Sequence, residues 1–335
     1  MRFSCHITYI MGKNSKNQPG IQQIAEAAGV STATVSRVFN RHPYVSEQVR
    51  EKVLEAARAT GYAPTIASSR LIFGILTGCR GGYVFGSYMS QVLQYISGHL
   101  FASGYNVQIF SREQFPYILG KTFRGVVIFS RQDAAFFRKA KIPCVAINDP
   151  APGIDSVVSD HQESLRLAVE YLVRLGHRRI AFLHSLSNGW GSEERLTGYR
   201  TAMNAAQIPA EDQLTAGFRD AAKDIPGGIV HLLEQHPDAL IVEGEGNGLI
   251  ADHTLKRLGV RIPEELSLIT FENPGHSEYM FPEHTAVCQD FAELGRCAAE
   301  TLIQFTLPPA SRGVIPELQV LHNRLIERAT CAPRQ

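Results

Sequence analysis

The sequence lacks the features that define several large classes of protein. It has no apolar run of the roughly 18–20 residues that a membrane-spanning helix needs. Its six cysteines never form a Cys-x-x-Cys pair and its twelve histidines show no His-Glu-x-x-His spacing, which argues against a zinc site or a disulfide framework. The apolar stretch after Met1 is short and is interrupted by His6 and Thr8, so it makes a poor secretory signal. We therefore expect a cytoplasmic chain that crosses no membrane and carries no metal or cofactor.

Acidic and basic residues nearly balance, with a formal net charge of +1, but they are unevenly distributed. Residues 11–71 hold eight Lys and Arg against four Glu, whereas residues 72–335 hold 24 basic and 28 acidic side chains. A small basic head on a mildly acidic body is the pattern of a phosphate-binding module joined to another domain.

The head has the pattern of three short helices. Ile21, Ile24, Ala25 and Ala28 recur at helical spacing, and Gly29 then provides a break. Ser31 is a good N-cap for a second helix with Val35 and Val38 on its inner face. Ser46 begins a third helix, which Gly61 and Pro64 end.

The body alternates strand-like apolar runs with amphipathic helices. Repeated β-α-β units of this kind predict parallel, doubly wound sheets with ligands near the carboxyl ends of the strands. About 260 residues are long for one such sheet, so we expect two lobes with a cleft between them. The predicted strands lie at 73–76, 107–110, 126–129, 145–147, 180–183, 239–242 and 266–269, and the predicted helices at 89–103, 162–175, 193–206 and 249–258.

The head also has the residue types of a helix-turn-helix. Ala25 is small enough to face the second helix, Gly29 can make the sharp turn, and Val35 is a β-branched anchor. The second helix offers short hydrogen-bonding side chains and Arg37, which could donate two hydrogen bonds to a guanine edge. The alternative is an ordinary three-helix bundle whose Ser- and Thr-rich helix is simply solvated.

A glycine-rich segment needs separate consideration. Gly244, Gly246 and Gly248 follow a predicted strand and open a helix, as in a dinucleotide-binding loop. However, the third glycine of that motif would fall on Leu249, and Glu245 would repel a phosphate at the helix N-terminus. The segment therefore does not support an enzyme.

Residues 24–40, IAEAAGVSTATVSRVFN, closely resemble the start of LacI/GalR-family transcriptional regulators, as do residues 45–53 (VSEQVREKV) and 61–64 (GYAP). The resemblance extends into the body through residues 177–182, 194–199, 259–265 and 325–330. It implies a helix-turn-helix head, a two-lobed sensor like the periplasmic binding proteins, a homodimer and a palindromic double-stranded operator.

The resemblance also assigns DNA contacts by position in the motif. It implies that Thr32, Ala33 and Arg37 face bases, that the hydroxyl and amide side chains beside them face phosphates, and that a hinge leucine enters the minor groove. The hinge is shortened and departs from the family pattern at Thr65, Ser68 and Ser69, so Leu71 could instead begin the first strand. The DNA-binding candidates are Ser31, Thr32, Ala33, Thr34, Ser36, Arg37, Asn40 and Leu71.

The effector pocket can be placed less sharply. Arg195 matches a family arginine that binds ligand oxygens, and the alternative is a surface salt bridge with a neighbouring Glu. Glu245 and Glu272 stand where the family favours Asp, and Trp190 could stack on a sugar or merely anchor a loop. Such a pocket favours a neutral polyhydroxylated ligand. The effector-binding candidates are Tyr83, Phe85, Ser130, Asp149, Trp190, Arg195, Glu245 and Glu272.

The sequence therefore predicts a repressor controlled by a small polar effector such as a carbohydrate, and not an enzyme. The alternative is a binding protein of the same fold that no longer reads an operator. The expected layout is a disordered extension (1–20), a helix-turn-helix domain (21–63), a hinge (64–71) and an effector domain (72–335). Within the effector domain, lobe 1 is expected at about 72–157 and 286–311, and lobe 2 at about 158–285 and 312–335.

Overall fold

The computed structural model describes residues 20–39, 45–60, 72–77, 88–115, 123–187, 189–209, 211, 213–272, 276–313 and 316–334. The chain divides into two compact units, Met1–Arg70 and Leu71–Gln335. The predicted hinge falls outside the described residues, as does the predicted N-terminal extension apart from Gly20. Four site candidates also lie outside them: Asn40, Leu71, Tyr83 and Phe85.

The described residues of the smaller unit form three helices, as predicted: α1 (Ile21–Ala28), α2 (Thr32–Phe39) and α3 (Glu47–Thr60). Gly29 ends α1 in the left-handed conformation at φ 65°, which glycine adopts without steric cost. The Val30 amide then donates to the Ala25 carbonyl at 2.9 Å, which closes the turn into α2. The core of the unit is formed by side chains from all three helices: Ile24, Ala25, Val35, Val38, Val53, Ala56 and Ala57.

The larger unit contains two sheets, each with six strands in its described residues. The elements that build the first lobe begin with β1 (Ile72–Leu76), α4 (Tyr88–Ala102), β2 (Asn106–Phe110), β3 (Val126–Ile128), α5 (Ala134–Ala140), β4 (Cys144–Ile147) and β5 (Asp155–Ser159). The second lobe follows with α6 (His161–Arg174), β6 (Ile180–Ser185), α7 (Trp190–Ala205), β7 (Leu214–Phe218), α8 (Ala221–Leu233), β8 (Ala239–Val242), α9 (Asn247–Arg257), β9 (Ser267–Phe271) and β10 (Thr285–Cys288). The last elements are α10 (Phe291–Gln304), β11 (Leu318–Leu321) and β12 (Arg324–Ile326).

The two sheets have matching strand orders, β2-β1-β3-β4-β5-β11 in the first and β7-β6-β8-β9-β10-β12 in the second. All neighbouring strands are parallel except β10 and β12, which are antiparallel. Strands β4, β8 and β9 are buried along their whole length because a core lies on each face of each sheet. This confirms the two-lobed, doubly wound fold predicted from the alternating pattern.

In the part of the chain that the structure describes, the backbone crosses between the lobes three times. It leaves the first sheet after β5, returns after β10 to form α10, and crosses again between β11 and β12. The expected second-lobe segment 312–335 was therefore wrong in part. Strand β11 pairs in parallel with β5, with Leu318 opposite Ser156, so it belongs to the first lobe and the third crossing lies at His322 and Asn323.

Asparagine side chains connect these crossings. The Asn148 side chain accepts from the Ser159 amide at 2.7 Å and donates to Gln289 Oε1 at 3.1 Å, which joins the first crossing to the second. The Asn323 side chain donates to the Asp160 carbonyl at 2.6 Å and to Ser164 Oγ at 2.9 Å, which joins the third crossing to the first.

Candidate DNA-binding surface and effector cleft

Helix α2 presents a polar, exposed face on the smaller unit. Its side chains Val35 and Val38 are buried in the core of the unit, so the opposite face of the helix points to the solvent. Ser31 caps the helix as predicted, because its Oγ accepts from the Thr34 amide at 3.1 Å. Thr32, Ala33 and Arg37 are exposed and therefore accessible to a ligand in the solvent.

Two of the phosphate-contact candidates are less exposed. Thr34 and Ser36 are partly buried, and Thr34 Oγ1 lies 2.9 Å from Ser31 Oγ. Helix α2 is eight residues long and begins close to the αL turn at Gly29, so its first turn is held at a fixed angle to α1. A short helix with a buried apolar stripe and an exposed Thr, Ala and Arg face has the form of a recognition helix.

The larger unit has a cleft of about 230 Å³ between its lobes. The first lobe contributes Tyr88 from the start of α4 and the segment that follows β4. The second lobe contributes the N-terminal turns of α6 and α7 and the loop after β8. The lining residues are Tyr88, Phe129, Ile147, Asn148, Asp149, His161, Ser187, Gly189, Gly191, Ser192, Arg195 and Glu245.

Asp149 links the two lobes at one side of this cleft. Its carboxylate accepts from the Arg131 amide at 2.9 Å in the first lobe and from the Trp190 amide at 3.4 Å in the second. Arg131 in turn lies 3.7 Å from Glu193 across the lobes. These contacts hold the lobes together without filling the cleft.

Arg195 also lines the cleft, from the second turn of α7. Its Nη1 donates to Glu243 Oε1 at 2.9 Å, and its guanidinium carbon lies 5.1 Å from the centre of the Phe271 ring. Both partners are sheltered, since the Arg195 and Glu243 side chains are only 12% and 3% exposed. The alternative of a surface salt bridge with a neighbouring Glu was wrong, because the partner is Glu243, 48 positions away, and the pair is buried.

His161, Asn148 and Glu245 complete the polar lining. The pKa of His161 is lowered well below its ordinary value, mainly by burial and to a smaller extent by the nearby charge of Arg195. Its imidazole is therefore neutral at pH 7. Gly191 allows α7 to approach this ring, because a Cβ there would come 2.8 Å from His161 Nε2. Burial raises the pKa of Glu245, whose carboxylate accepts from the Gln289 side chain.

The structure brings Asp149, Arg195 and Glu245 to the cleft, but not the other described effector candidates. Ser130 caps a short 3₁₀ turn, where its Oγ accepts from the Gln132 amide at 3.4 Å. Trp190 packs its ring 5.4 Å from His161 and lines a neighbouring groove between α6 and α7, so the anchoring interpretation fits it better than stacking on a ligand.

The prediction that Glu272 lines the effector site was wrong. Its carboxylate is bound by both terminal nitrogens of Arg328, at 2.8 and 3.2 Å, and it does not line the cleft. Conversely, Tyr88, His161 and Glu243 were not predicted from the sequence. Glu243 had a visible signal, because it is an acidic residue directly after a fully apolar strand, at the carboxyl end where ligands bind in parallel sheets.

Among the described residues, no helix has the length and apolar character to cross a bilayer, and no group of three or more His, Cys, Asp or Glu side chains could hold a metal ion. The cysteines that the structure describes, Cys144, Cys288, Cys297 and Cys331, are free.

The fold and these two surfaces define a two-domain protein that joins a helix-turn-helix to a ligand-binding cleft. Comparison with known proteins agrees. Residues 20–65 match the family described as bacterial regulatory proteins, lacI family, and residues 169–331 match the periplasmic binding protein-like domain. The chain belongs to the lacI family and is a DNA-binding transcriptional regulator with an effector-binding domain.

Full-length relatives support this assignment. The chain is 27% identical over 330 residues to the HTH-type transcriptional repressor PurR of Vibrio atlanticus (strain LGP32), covering 92% of this chain and 98% of the relative. It is 28% identical over 338 residues to the lactose operon repressor of Escherichia coli (strain K12), covering 92% and 90%. A solved structure of the lac repressor dimer bound to operator and the anti-inducer ONPF aligns with TM-score 0.76 and 24% identity, over 94% of this chain and all of that one. These relatives are repressors rather than enzymes.

Proposed function

We propose that this chain is a homodimeric repressor that binds a palindromic operator through α2 and is controlled by a small, hydroxyl-rich molecule bound between its lobes. The supporting observation is that one chain carries both an exposed Thr32, Ala33 and Arg37 surface on a short helix and a polar cleft of about 230 Å³. Neither surface explains the protein alone. Together, the helix would bind the operator and the cleft would bind the molecule that controls this binding.

The proposed DNA contacts follow from the geometry of α2. Arg37 is long, exposed and always charged, so it can reach a guanine edge with two donors. Thr32 and Ala33 lie in the first turn, the part of a recognition helix that contacts base edges. Ser31, Thr34 and Ser36 are proposed to contact phosphates, together with Asn40, while Leu71 is proposed as the minor-groove wedge.

The proposed effector site consists of Asp149, Arg195 and Glu245, which the sequence indicated, together with Asn148, His161 and Ser192, which also line the cleft. The cleft is smaller than the roughly 300 Å³ at which pockets for drug-sized ligands begin, so a molecule the size of a monosaccharide fits it best. Dimerisation is proposed because the lac repressor relative was solved as a dimer on its operator. A regulator of this kind acts where the chromosome is, in the bacterial cytoplasm.

The direct test is selection of bound fragments from the source genome by the purified full-length protein, followed by footprinting across a salt series. We expect a palindrome whose affinity falls steeply with salt, because Lys and Arg contacts release counterions from the phosphates. Genes beside the selected sites would then provide candidate effectors for release assays. Weak binding without sequence preference, in the presence and absence of those candidates, would contradict the proposal.

A further inference from the structure

The strongest unexplained group near the cleft is the carboxylate of Glu243. It is 2% exposed, and it lies behind the cleft rather than among its lining residues. Both oxygens are occupied: Oε1 accepts from Arg195 Nη1 at 2.9 Å and Ser192 Oγ at 3.0 Å, and Oε2 accepts from the Ser185 amide at 2.9 Å. A buried carboxylate with this many donors is held in place rather than mobile.

Its position determines what Arg195 can offer a ligand. An unpaired guanidinium in a sheltered cleft is a strong receptor for carboxylates and phosphates. Here the positive charge is already matched by a carboxylate in direct contact. Arg195 therefore keeps N–H donors for ligand hydroxyls, but the Arg195–Glu243 pair has no net charge to attract an anion.

The other charged groups at the cleft do not restore a positive potential. Asp149 and Glu245 are acidic, and the charge of Arg131 is shared between Asp149 at 3.6 Å and Glu193 at 3.7 Å. His161 adds no charge, since burial and Arg195 lower its pKa. An anionic ligand would therefore meet the carboxyl groups of Asp149 and Glu245 and, among the described lining residues, no unpaired cation, at short range where screening by water is weak.

We propose that Glu243 is a built-in counterion that cancels the charge of Arg195 and so restricts the cleft to uncharged, hydroxyl-rich ligands. The inference rests on the proposed effector site but adds a residue that touches no ligand itself. Glu243 acts through Arg195 as a determinant of specificity by charge. Without it, the same cleft would accept a carboxylate or a phosphate.

The test replaces Glu243 by Gln in the full-length protein and uses inorganic phosphate as the probe. We expect E243Q to gain a phosphate-dependent rise in the melting temperature of the effector domain, with a half-saturating phosphate concentration at least about tenfold lower than that of the wild type, because the Arg195 charge is released. The variant E243D, which keeps the charge, should respond like the wild type. The double variant E243Q/R195Q should lose the gain, because it has no unpaired cation.

The matched control is Glu272→Gln, which removes another buried carboxylate from an arginine partner, Arg328, in a pair that does not line the cleft. It should give no phosphate response, and circular dichroism establishes that each variant is folded. A second readout compares D-glucose with D-glucuronate and D-galactose with D-galacturonate by calorimetry, where E243Q should shift preference towards the acid of any pair that binds.

Three results would overturn the inference: an equal phosphate response in wild type and E243Q, an equal response in E243Q and E272Q, or persistence of the response without Arg195. None of these readouts uses DNA. A failure of operator binding would therefore count against the proposed function and leave the role of Glu243 to be judged by the phosphate titration.

Discussion

The two functional surfaces of this protein are built in opposite ways. The proposed base contacts come from one helix of eight residues, and Thr32, Ala33 and Arg37 lie within six consecutive positions. The cleft instead joins residues far apart in the chain, such as Asn148 with Gln289 and Arg195 with Glu243. A local surface needs only a folded head, whereas the cleft needs both lobes and the crossings between them.

The largest effect is expected when the head core is broken while the cleft is left intact. Val35 is fully buried, so Val35→Asp places an unpaired charge among Ile24, Val38 and Val53. We expect loss of operator binding in a filter or fluorescence assay, with the melting transition of the effector domain unchanged. Leu54→Asp is the control, because Leu54 is 37% exposed and should tolerate the charge. A head that stays folded in the Val35 variant would contradict the expectation.

The next largest effect is expected in the effector domain. Arg195→Ala leaves Glu243 buried without its cation, which should reduce the free energy of unfolding by about 3–5 kcal/mol. The double variant Arg195→Met, Glu243→Leu should recover most of this loss, because it removes both charges. Urea denaturation of the full-length protein measures each change.

Arg261→Ala is the matched control for that experiment. Arg261 lies 2.8 Å from Glu265, almost the same separation as in the buried pair, but both side chains are well exposed. We expect Arg261→Ala to reduce the unfolding free energy far less than Arg195→Ala does, because water and salt screen an exposed ion pair. Equal losses for Arg195 and Arg261 would show that burial does not distinguish the two pairs.

A moderate effect is expected from the proposed base contact. Arg37→Ala should weaken operator binding by about 1–3 kcal/mol and relax the choice of base at one position of each half-site. Arg58→Ala removes the same charge from an exposed position on α3, outside the proposed recognition helix. The Arg58→Ala control should weaken binding to specific and to non-specific DNA about equally. Unchanged operator affinity in the Arg37 variant would remove this residue from the proposed contact set.

The smallest effect is expected at the turn before α2. Gly29 has φ 65° and open space where a Cβ would lie, so Gly29→Ala meets backbone strain but no collision. We expect a loss of about 1–2 kcal/mol in head stability, seen as faster hydrogen exchange of head amides in the full chain. Gly20→Ala is the control, since Gly20 has φ −85° and also has open space around it. Similar exchange in the two variants would mean that the turn is not strained.

The contrast between local and distant contacts also explains which parts of the fold could be predicted from the sequence. The head helices, the Ser31 cap and the main buried strands were predictable, because each is encoded by neighbouring residues. Strand β11 was assigned to the wrong lobe because its exposed, alternating residues gain their place only by pairing with β5. No periodicity within residues 318–321 carries that information.

The same limit applies to the predicted site. Arg195 and Asp149 could be placed in the cleft because they lie near the start of α7 and after β4, at the ends where ligands bind. Glu272 lies in the equivalent position after β9, yet Arg328 from the C-terminal segment binds its carboxylate. That partner is 56 positions away. Only the folded chain shows whether an acidic residue at the end of a strand lines the cleft, as Asp149 does, or is bound by an arginine outside it, as Glu272 is.

The three crossings between the lobes have a mechanical consequence. A single connecting segment would let the two lobes bend and twist in every direction. Three neighbouring segments that are hydrogen-bonded to one another act instead as a hinge with one axis. The side chains of Asn148 and Asn323 supply the ties, joining the first crossing to the second and the third. Such a joint leaves mainly one angle free, the opening of the lobes. A small molecule in the cleft then has a single coordinate on which to act, so its binding is converted into a rotation of one lobe against the other rather than a diffuse loosening of the whole domain.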